Sequence, residues 1–448
     1  MVIADDAAHS IHIFSHRQPA GKVSIESLTP AFPQLHIFER EIWENHGVEF
    51  LNHPWLKPLR FSSGRYQTDI SIADYPFYSI ESEELHEVGV GPVHAGVIEP
   101  GHFRFICYGE KVLHLEIQLG YQHRGVENQF LNHETLLGKS LLAENIAGDT
   151  SVGHGLAFSQ LAEALAGVGV PERLQIERII ALELERIAVH IGDTAALCGD
   201  VAYQLGQVAC EALRTMVINT TQDWCGNRFG KGLVRPGGTN YPLSAEMRNV
   251  IRKNLSDVLR RYLEVAALVF NNQEVISRFE NTGIVTSYQA LLAGAVGMAA
   301  RMTKISRDIR VSHPFQAYNN YGFETTTLEG GDVLCRAFLR KKEIRASAAI
   351  INDLLDIHEK RESSAPGSPD YRMIFSGDSI AVSIVEGWRG EICHCAITGP
   401  DGKIIQYRVK DPSLHNWQLL ALAMRGQEIS DFPVCNKSFN LSYCGNDL

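Results

Sequence analysis

The sequence predicts an α+β chain that is mainly α: a helical bundle with one small antiparallel sheet before it and a second after it. Two observations carry this. Three apolar segments with helical spacing fill the middle of the chain, and short strand-like runs bounded by turn residues flank them. At 448 residues, 45% hydrophobic and 21% charged, the chain is long enough for one large core plus a small extra domain.

Ahead of the bundle, Phe103 to Cys107 and Val112 to Gln118 read as a hairpin around a Gly109-Glu110 turn. The first helix runs from Glu172 to Cys198, with Pro171 suited to a first helical position. Its buried face is Ile176, Ile179, Ile180, Leu184, Ile187 and Ile191. Ser244 is the expected N-cap of a second helix, whose face is Met247, Ile251, Leu255, Val258, Leu259, Tyr262 and Leu263. A third, Tyr288 to Met302, is small and apolar all round and is expected to cross the centre of the bundle. Ser379 to Glu386, Glu391 to Thr398 and Lys403 to Val409 form the second sheet, with Pro400-Asp401-Gly402 turning between its last two strands. Residues 1–82, rich in Pro, His and aromatics, form a separate region with a compact stretch from Ser27 to Pro58; residues 364–369 are a loop-rich break.

Composition excludes some classes of function. The net charge of -11 is spread along the chain, and no basic stripe interleaved with aromatics marks a nucleic-acid surface. The nine cysteines include no Cys-x-x-Cys pair, which reads as reduced thiols in a cytosolic compartment. Neither a signal-peptide pattern nor a run of 18 apolar residues occurs, so the chain is expected not to span a membrane, though it could dock on one. No dinucleotide-binding fingerprint is present.

The most specific stretch is Gly91-Pro92-Val93-His94-Ala95-Gly96-Val97-Ile98-Glu99-Pro100-Gly101-His102-Phe103-Arg104-Phe105. It resembles the opening of the large subunit of membrane-bound, energy-converting nickel-iron hydrogenases, and the D-type subunit of complex I has a related loop. Gly120-Tyr121-Gln122-His123-Arg124-Gly125-Val126-Glu127, Glu183-Leu184-Glu185-Arg186-Ile187 with His190, Gly226-Asn227-Arg228-Phe229, Arg235-Pro236-Gly237-Gly238 and Glu386-Gly387-Trp388-Arg389-Gly390-Glu391 continue the match. Lys410-Asp411-Pro412-Ser413-Leu414-His415-Asn416-Trp417 and Asp431-Phe432-Pro433 look like the formate-hydrogenlyase branch. The resemblance runs in order from about residue 85 to the end and implies the nickel-iron hydrogenase large-subunit or complex I D-subunit fold for residues 83–448. Phe32-Pro33, Glu39-Arg40-Glu41-Ile42, Gly47-Val48-Glu49-Phe50 and His53-Pro54 resemble the C-terminal end of the small, C-type complex I subunit. Residues 1–82 are accordingly expected to be a remnant of that subunit.

The pattern breaks at the metal. A nickel-iron centre takes four thiolates from two Cys-x-x-Cys pairs, because soft donors stabilise nickel's redox states. The first pair would lie in Glu144-Asn145-Ile146-Ala147-Gly148-Asp149-Thr150, where the ligand positions are Ala147 and Thr150. The second would lie in Asn440-Leu441-Ser442-Tyr443-Cys444-Gly445, where they are Ser442 and Gly445, with Cys444 out of register. Nickel is therefore not expected, and the complex I subunit, which lacks nickel and helps form a quinone pocket, is the better guide.

Five residues are candidates for the site. The resemblance places His94 beside a quinone head group, where a neutral imidazole donates a hydrogen bond and relays a proton; a loop histidine bonded to backbone is the alternative. The complex I loop carries a second histidine where this chain has Ile98. His154 falls near a quinone-contacting tyrosine of complex I, or is a satisfied histidine at a helix start. Glu99 matches a glutamate that carries protons in the hydrogenases, since a carboxyl in a dry cavity exchanges protons near neutral pH; a solvated loop carboxylate is the alternative. Arg389 matches the arginine overhanging the metal cavity, able to pair with a carboxylate or an anionic semiquinone, or else with Glu386 or Glu391. Asp149, between two lost ligand positions, is expected to pair with Arg389 and border the cofactor space, or to cap a helix. Glu183, Arg186 and His190 share a helical stripe and suggest a buried structural network, while Cys393 and Cys395 point to one face of a strand as core thiols and His394 to the other.

The resemblance implies the large subunit of a membrane-bound, complex-I-like oxidoreductase on the cytoplasmic face. It would sit beside an iron-sulfur small subunit that holds the cluster and above antiporter-like and H-type membrane subunits. Its cavity would serve a quinone-like acceptor. The alternatives are a true nickel-iron hydrogenase of the formate hydrogenlyase type and a non-catalytic coupling or scaffold subunit.

Overall fold

The computed structural model describes residues 1–15, 23–94, 98–361, 365 and 367–448. The expected break at 364–369 and the loop residues Ala95, Gly96 and Val97 therefore lie wholly or partly outside the described residues.

A mainly helical bundle forms the centre. The Glu172–Asp200 helix is its axis and packs against the Gln204–Cys225 and Val333–Lys360 helices. Ile176, Ile179, Ile180, Leu184, Ile187 and Ile191 are all buried, as their spacing requires. Pro171 is one position further out than expected. Its backbone is extended, so it is the N-cap and Glu172 the first helical residue. Ser244 caps the Ala245–Phe270 helix, its hydroxyl accepting the Met247 N–H at 3.1 Å.

The third helix is not continuous. It divides into Ser287–Ala293 and Met298–Arg301. Gly294 ends the first piece in the left-handed region, and Gly297 (φ 61°) starts the second against backbone: a Cβ there would overlap the Arg389 carbonyl. Small residues do permit close packing here, but against the Arg389 turn rather than along a straight helix.

The two sheets flank the bundle. His86–Val90, His102–Tyr108 and Lys111–Gln118 form an antiparallel sheet, one strand larger than the expected hairpin. Ile380–Glu386, Glu391–Thr398 and Ile404–Lys410 form the other, with the central strand between its neighbours. The N-terminal region is tied to the first sheet and to the chain's end: Lys57 pairs with Glu116 at 2.6 Å, and Arg60 Nε donates to the Asn446 carbonyl at 2.9 Å. Among the described residues no helix is long and apolar enough to cross a membrane.

Candidate functional site

Two arginines join the 145–150 and 440–445 stretches. Arg124 precedes the Val126–Asn132 helix and donates to the carbonyls of Asn145 (2.8 Å), Ile146 (2.7 Å) and Cys444 (3.3 Å). The backbone around it holds the chain's end: the Gly120 and Gln122 N–H groups each donate to Asp447 at 2.9 Å, and the Arg124 N–H to the Leu448 carbonyl at 2.8 Å.

Arg389 is the second. It sits in the tight turn Gly387–Gly390, whose two glycines exchange backbone hydrogen bonds. Its guanidinium donates to both Asp149 oxygens at 2.7 and 2.6 Å, to Thr150 Oγ1 at 3.2 Å and to the Asn440 carbonyl at 2.6 Å. It also lies over the Trp388 ring. Burial works to raise the Asp149 pKa, but the bidentate arginine overcomes it and holds the carboxyl below the usual carboxylate range. Both partners are charged at neutral pH. The alternative partners for Arg389 are taken elsewhere: Glu386 binds Arg301, and Glu391 binds Lys410 and Arg307. Asp149 caps no helix. The N–H groups of Val152 and Gly153, at the start of the Ser151–Ala166 helix, are held instead by Glu185 at 2.7 and 3.1 Å.

The four positions where a nickel centre would have thiolates are committed to other contacts. Ala147 is sealed in the core. The Thr150 hydroxyl accepts from Trp388 Nε1 (3.1 Å) and Arg389 and donates to Asp149 (3.1 Å). The Ser442 hydroxyl caps the Tyr443–Asp447 helix through the Gly445 N–H at 2.9 Å. At Gly445 a Cβ would stand 2.7 Å from the Asp411 carboxyl. Among the described residues, no three His, Cys, Asp or Glu side chains converge as a metal site.

Asp411 ends a buried chain of polar groups. His154 Nε2 lies 3.1 Å from Asp411 Oδ2, His154 Nδ1 lies 3.1 Å from His394 Nε2, and His394 Nδ1 lies 2.7 Å from the Tyr407 hydroxyl. With both rings neutral the chain has one direction: Tyr407 donates to His394, His394 to His154, and His154 to the carboxylate. Burial, then the neighbouring His154, holds the His394 pKa far down, which keeps the His394 ring neutral. His154 is fully buried with both nitrogens engaged, so the direct ligand contact expected from the sequence is closed to it.

His94 and Glu99 reach the same stretch from the other side. His94 Nε2 lies 3.4 Å from the Tyr443 hydroxyl, and its ring meets Phe103 edge-on. Among the described residues its hydrogen-bond contact is with a side chain, not the backbone. Burial lowers the His94 pKa, so the ring is neutral near pH 7. Glu99 Oε2 accepts the Cys444 N–H at 3.2 Å. Both side chains are half-buried, as is Asp149.

Beneath the site, Glu183, Arg186 and His190 belong to a larger buried network. Glu343 bridges His190 (3.0 Å), Arg186 (3.6 Å) and Arg301 (2.5 Å), and Glu183 binds Arg186, Arg310, Ser347 and Tyr318. Arg186 also donates to the carbonyls of Glu386 and Gly387, fixing the strand end that carries Arg389. The sequence reading missed Asp411, His394, Arg124 and Glu185 as members of the site. The first and the last two lie in motifs noted above, so position was available but role was not. For His394, alternation correctly set it opposite Cys393 and Cys395, but the expected core thiols are only half-buried and His394 is the fully buried member.

Residues 200–376 match the family model of the respiratory-chain NADH dehydrogenase 49 Kd subunit, and residues 5–68 that of the 30 Kd subunit. Hydrogenase-4 component G of Escherichia coli K12 is 26% identical over 94% of this chain and 75% of its own length. Formate hydrogenlyase subunit 5 of the same organism is 27% identical over 96% and 78%. NADH-quinone oxidoreductase subunit 4 of Thermus thermophilus is 27% identical over 78% and 90%. Among solved structures, a chain of the membrane-bound sulfane sulfur reductase, an archaeal respiratory membrane complex, superposes with a TM-score of 0.74 at 22% identity, over 83% of this chain and all of that one. That superposition shows the shared fold.

Proposed function

We propose that this chain, a complex-I-like, hydrogenase-related large subunit of an oxidoreductase, forms one wall of a nickel-free redox cavity that serves a quinone-like acceptor. The observation that carries the reading is the fate of the four ligand positions. They supply no thiolate, and their surroundings are occupied by the Arg389–Asp149 pair, the Trp388 indole and the Asp411 carboxyl. This donor set does not fit a nickel-iron centre.

Reducing a quinone to a quinol takes two electrons and two protons. The electrons come from an iron-sulfur cluster held by a partner subunit, since this chain has no cluster-binding cysteine set. The protons come from the accessible groups. Neutral His94 passes its N–H proton to a carbonyl oxygen while its other ring nitrogen takes one up from water, and Glu99 relays the second proton from water beside it. Arg389, fixed by Asp149, presents positive charge to developing negative charge on the oxygen. Asp411, held by His154, keeps the opposite wall polar. The chain sits on the cytoplasmic face, against an iron-sulfur small subunit and above antiporter-like and H-type membrane subunits.

The test is steady-state reduction of a soluble quinone analogue by the purified assembled complex. His94→Ala and Glu99→Gln are each expected to lower kcat about 10²-fold, the lower end of what a positioned proton donor contributes. Unchanged turnover in both, with the complex intact, would favour a coupling or scaffold subunit.

A further inference from the structure

Glu185 stands apart from the groups used so far. It precedes Arg186 on the Glu172–Asp200 helix, yet its side chain turns away from the Arg186 network to hold the start of the Ser151–Ala166 helix. Among the described residues no ion pair satisfies it: Arg186 is spent on Glu183, Glu343 and two carbonyls. Beside it lies a small cavity lined by Asp149, Glu185, Arg214, Thr221, Arg228 and Phe229, among others. Its room for water centres is about 20 Å³, above the roughly 10–15 Å³ one water needs and far below the roughly 300 Å³ of a small-molecule pocket. Two cations border it without ion-pair partners among the described residues. Arg214 packs against Gly192, and exposed Arg228 stacks over Phe229 and marks the solvent side.

We propose that Glu185 and Asp149 share one water in this cavity and form a proton-exchange station between solvent at Arg228 and the Arg389 pair. A proton passes from bulk water to the cavity water and onto a Glu185 oxygen. It leaves by the same water toward Asp149 when the site consumes a proton. No electrons move. Arg214 is the counter-ion at hand when Glu185 ionises. Burial pushes the Glu185 carboxyl up to about 8, with neighbouring Asp149 adding to the rise, against the lowering effect of the two N–H groups and Arg186. It therefore gains and loses a proton near physiological pH. The use of that proton rests on the proposed function; the exchange itself does not.

The experiment is an infrared titration of the purified complex with isotope-labelled glutamate, read at the carboxylic-acid carbonyl stretch. A labelled band that disappears as pH rises through about 8 is expected, absent in Glu185→Gln. A second band, from Glu386, which is pushed up to about 7, remains in that variant. In turnover, Glu185→Gln is expected to lose the titration near 8 and to enlarge the solvent deuterium isotope effect. No band near 8 in the wild type, or one that survives Glu185→Gln, overturns the proposal. The wild-type titration needs no variant to fold. If the wild-type complex reduces no quinone while the band behaves as described, the functional reading fails and the exchange site stands.

Discussion

Arg389 holds together segments that sequence alone leaves 240 positions apart. Its pair with Asp149 is legible because the arginine and the two lost ligand positions are fixed by their motifs, and Asp149 lies between those positions. Its worth is limited by geometry: the Arg389 side chain is 4% exposed but that of Asp149 is 36%, so water screens one side. A double-mutant cycle of Asp149→Ala and Arg389→Ala should give a coupling energy of about 1–3 kcal/mol in chemical denaturation; a value near zero would make the pair incidental. Glu386 carries a pH signature that its sequence context does not reveal. Four carboxylates (Glu183, Glu343, Glu386, Asp308) meet three arginines (Arg186, Arg301, Arg310) in one sealed space. Burial, then the Asp308 charge, pushes Glu386 up from 4.5 to about 7. The folded pKa lies above the unfolded one, so the stabilising contribution is full below about pH 4.5 and lost as pH rises through about 7. Glu386→Gln should flatten that decline by about 1–3 kcal/mol between pH 5 and 8, as read by denaturant midpoints. An unchanged slope would place the proton elsewhere.

At the scale of elements, the apolar middle was easy to read and its interruptions were not. The Glu172–Asp200 and Ala245–Phe270 helices follow from spacing and caps because burial of one face decides them. The Tyr288–Met302 stretch has the same apolar character, yet Gly294 and Gly297 break it to let the Arg389 turn approach. Spacing cannot report a partner so distant in sequence. Gly297→Ala adds a methyl into the Arg389 carbonyl at a positive φ, and should destabilise by about 4 kcal/mol or more in thermal or denaturant unfolding; a neutral effect would mean the turn moves freely. The 442–445 element behaves similarly. Restoring all four thiols (Ala147→Cys, Thr150→Cys, Ser442→Cys, Gly445→Cys) should not restore stoichiometric nickel, because a Cβ at position 445 meets Asp411. Elemental analysis of that variant checks this, and one nickel per chain would show that the site is only missing its ligands.

At the scale of the whole molecule, the order of motifs was legible from about residue 85 onward, because each keeps unusual residue types at fixed spacing. What it could not show was that the altered ligand positions, the His154–Asp411 contact and the Glu99 loop converge on the same two stretches of chain. That convergence depends on long-range backbone contacts such as those of Arg124. The central claim is that this convergence serves a redox cavity without nickel. Its most direct test measures quinone-analogue reduction and nickel content together on the purified assembled complex. Turnover at far less than one nickel per chain, unaffected by a nickel chelator, is the expected result. Activity that rises in proportion to bound nickel, with hydrogen as donor or product, would contradict it.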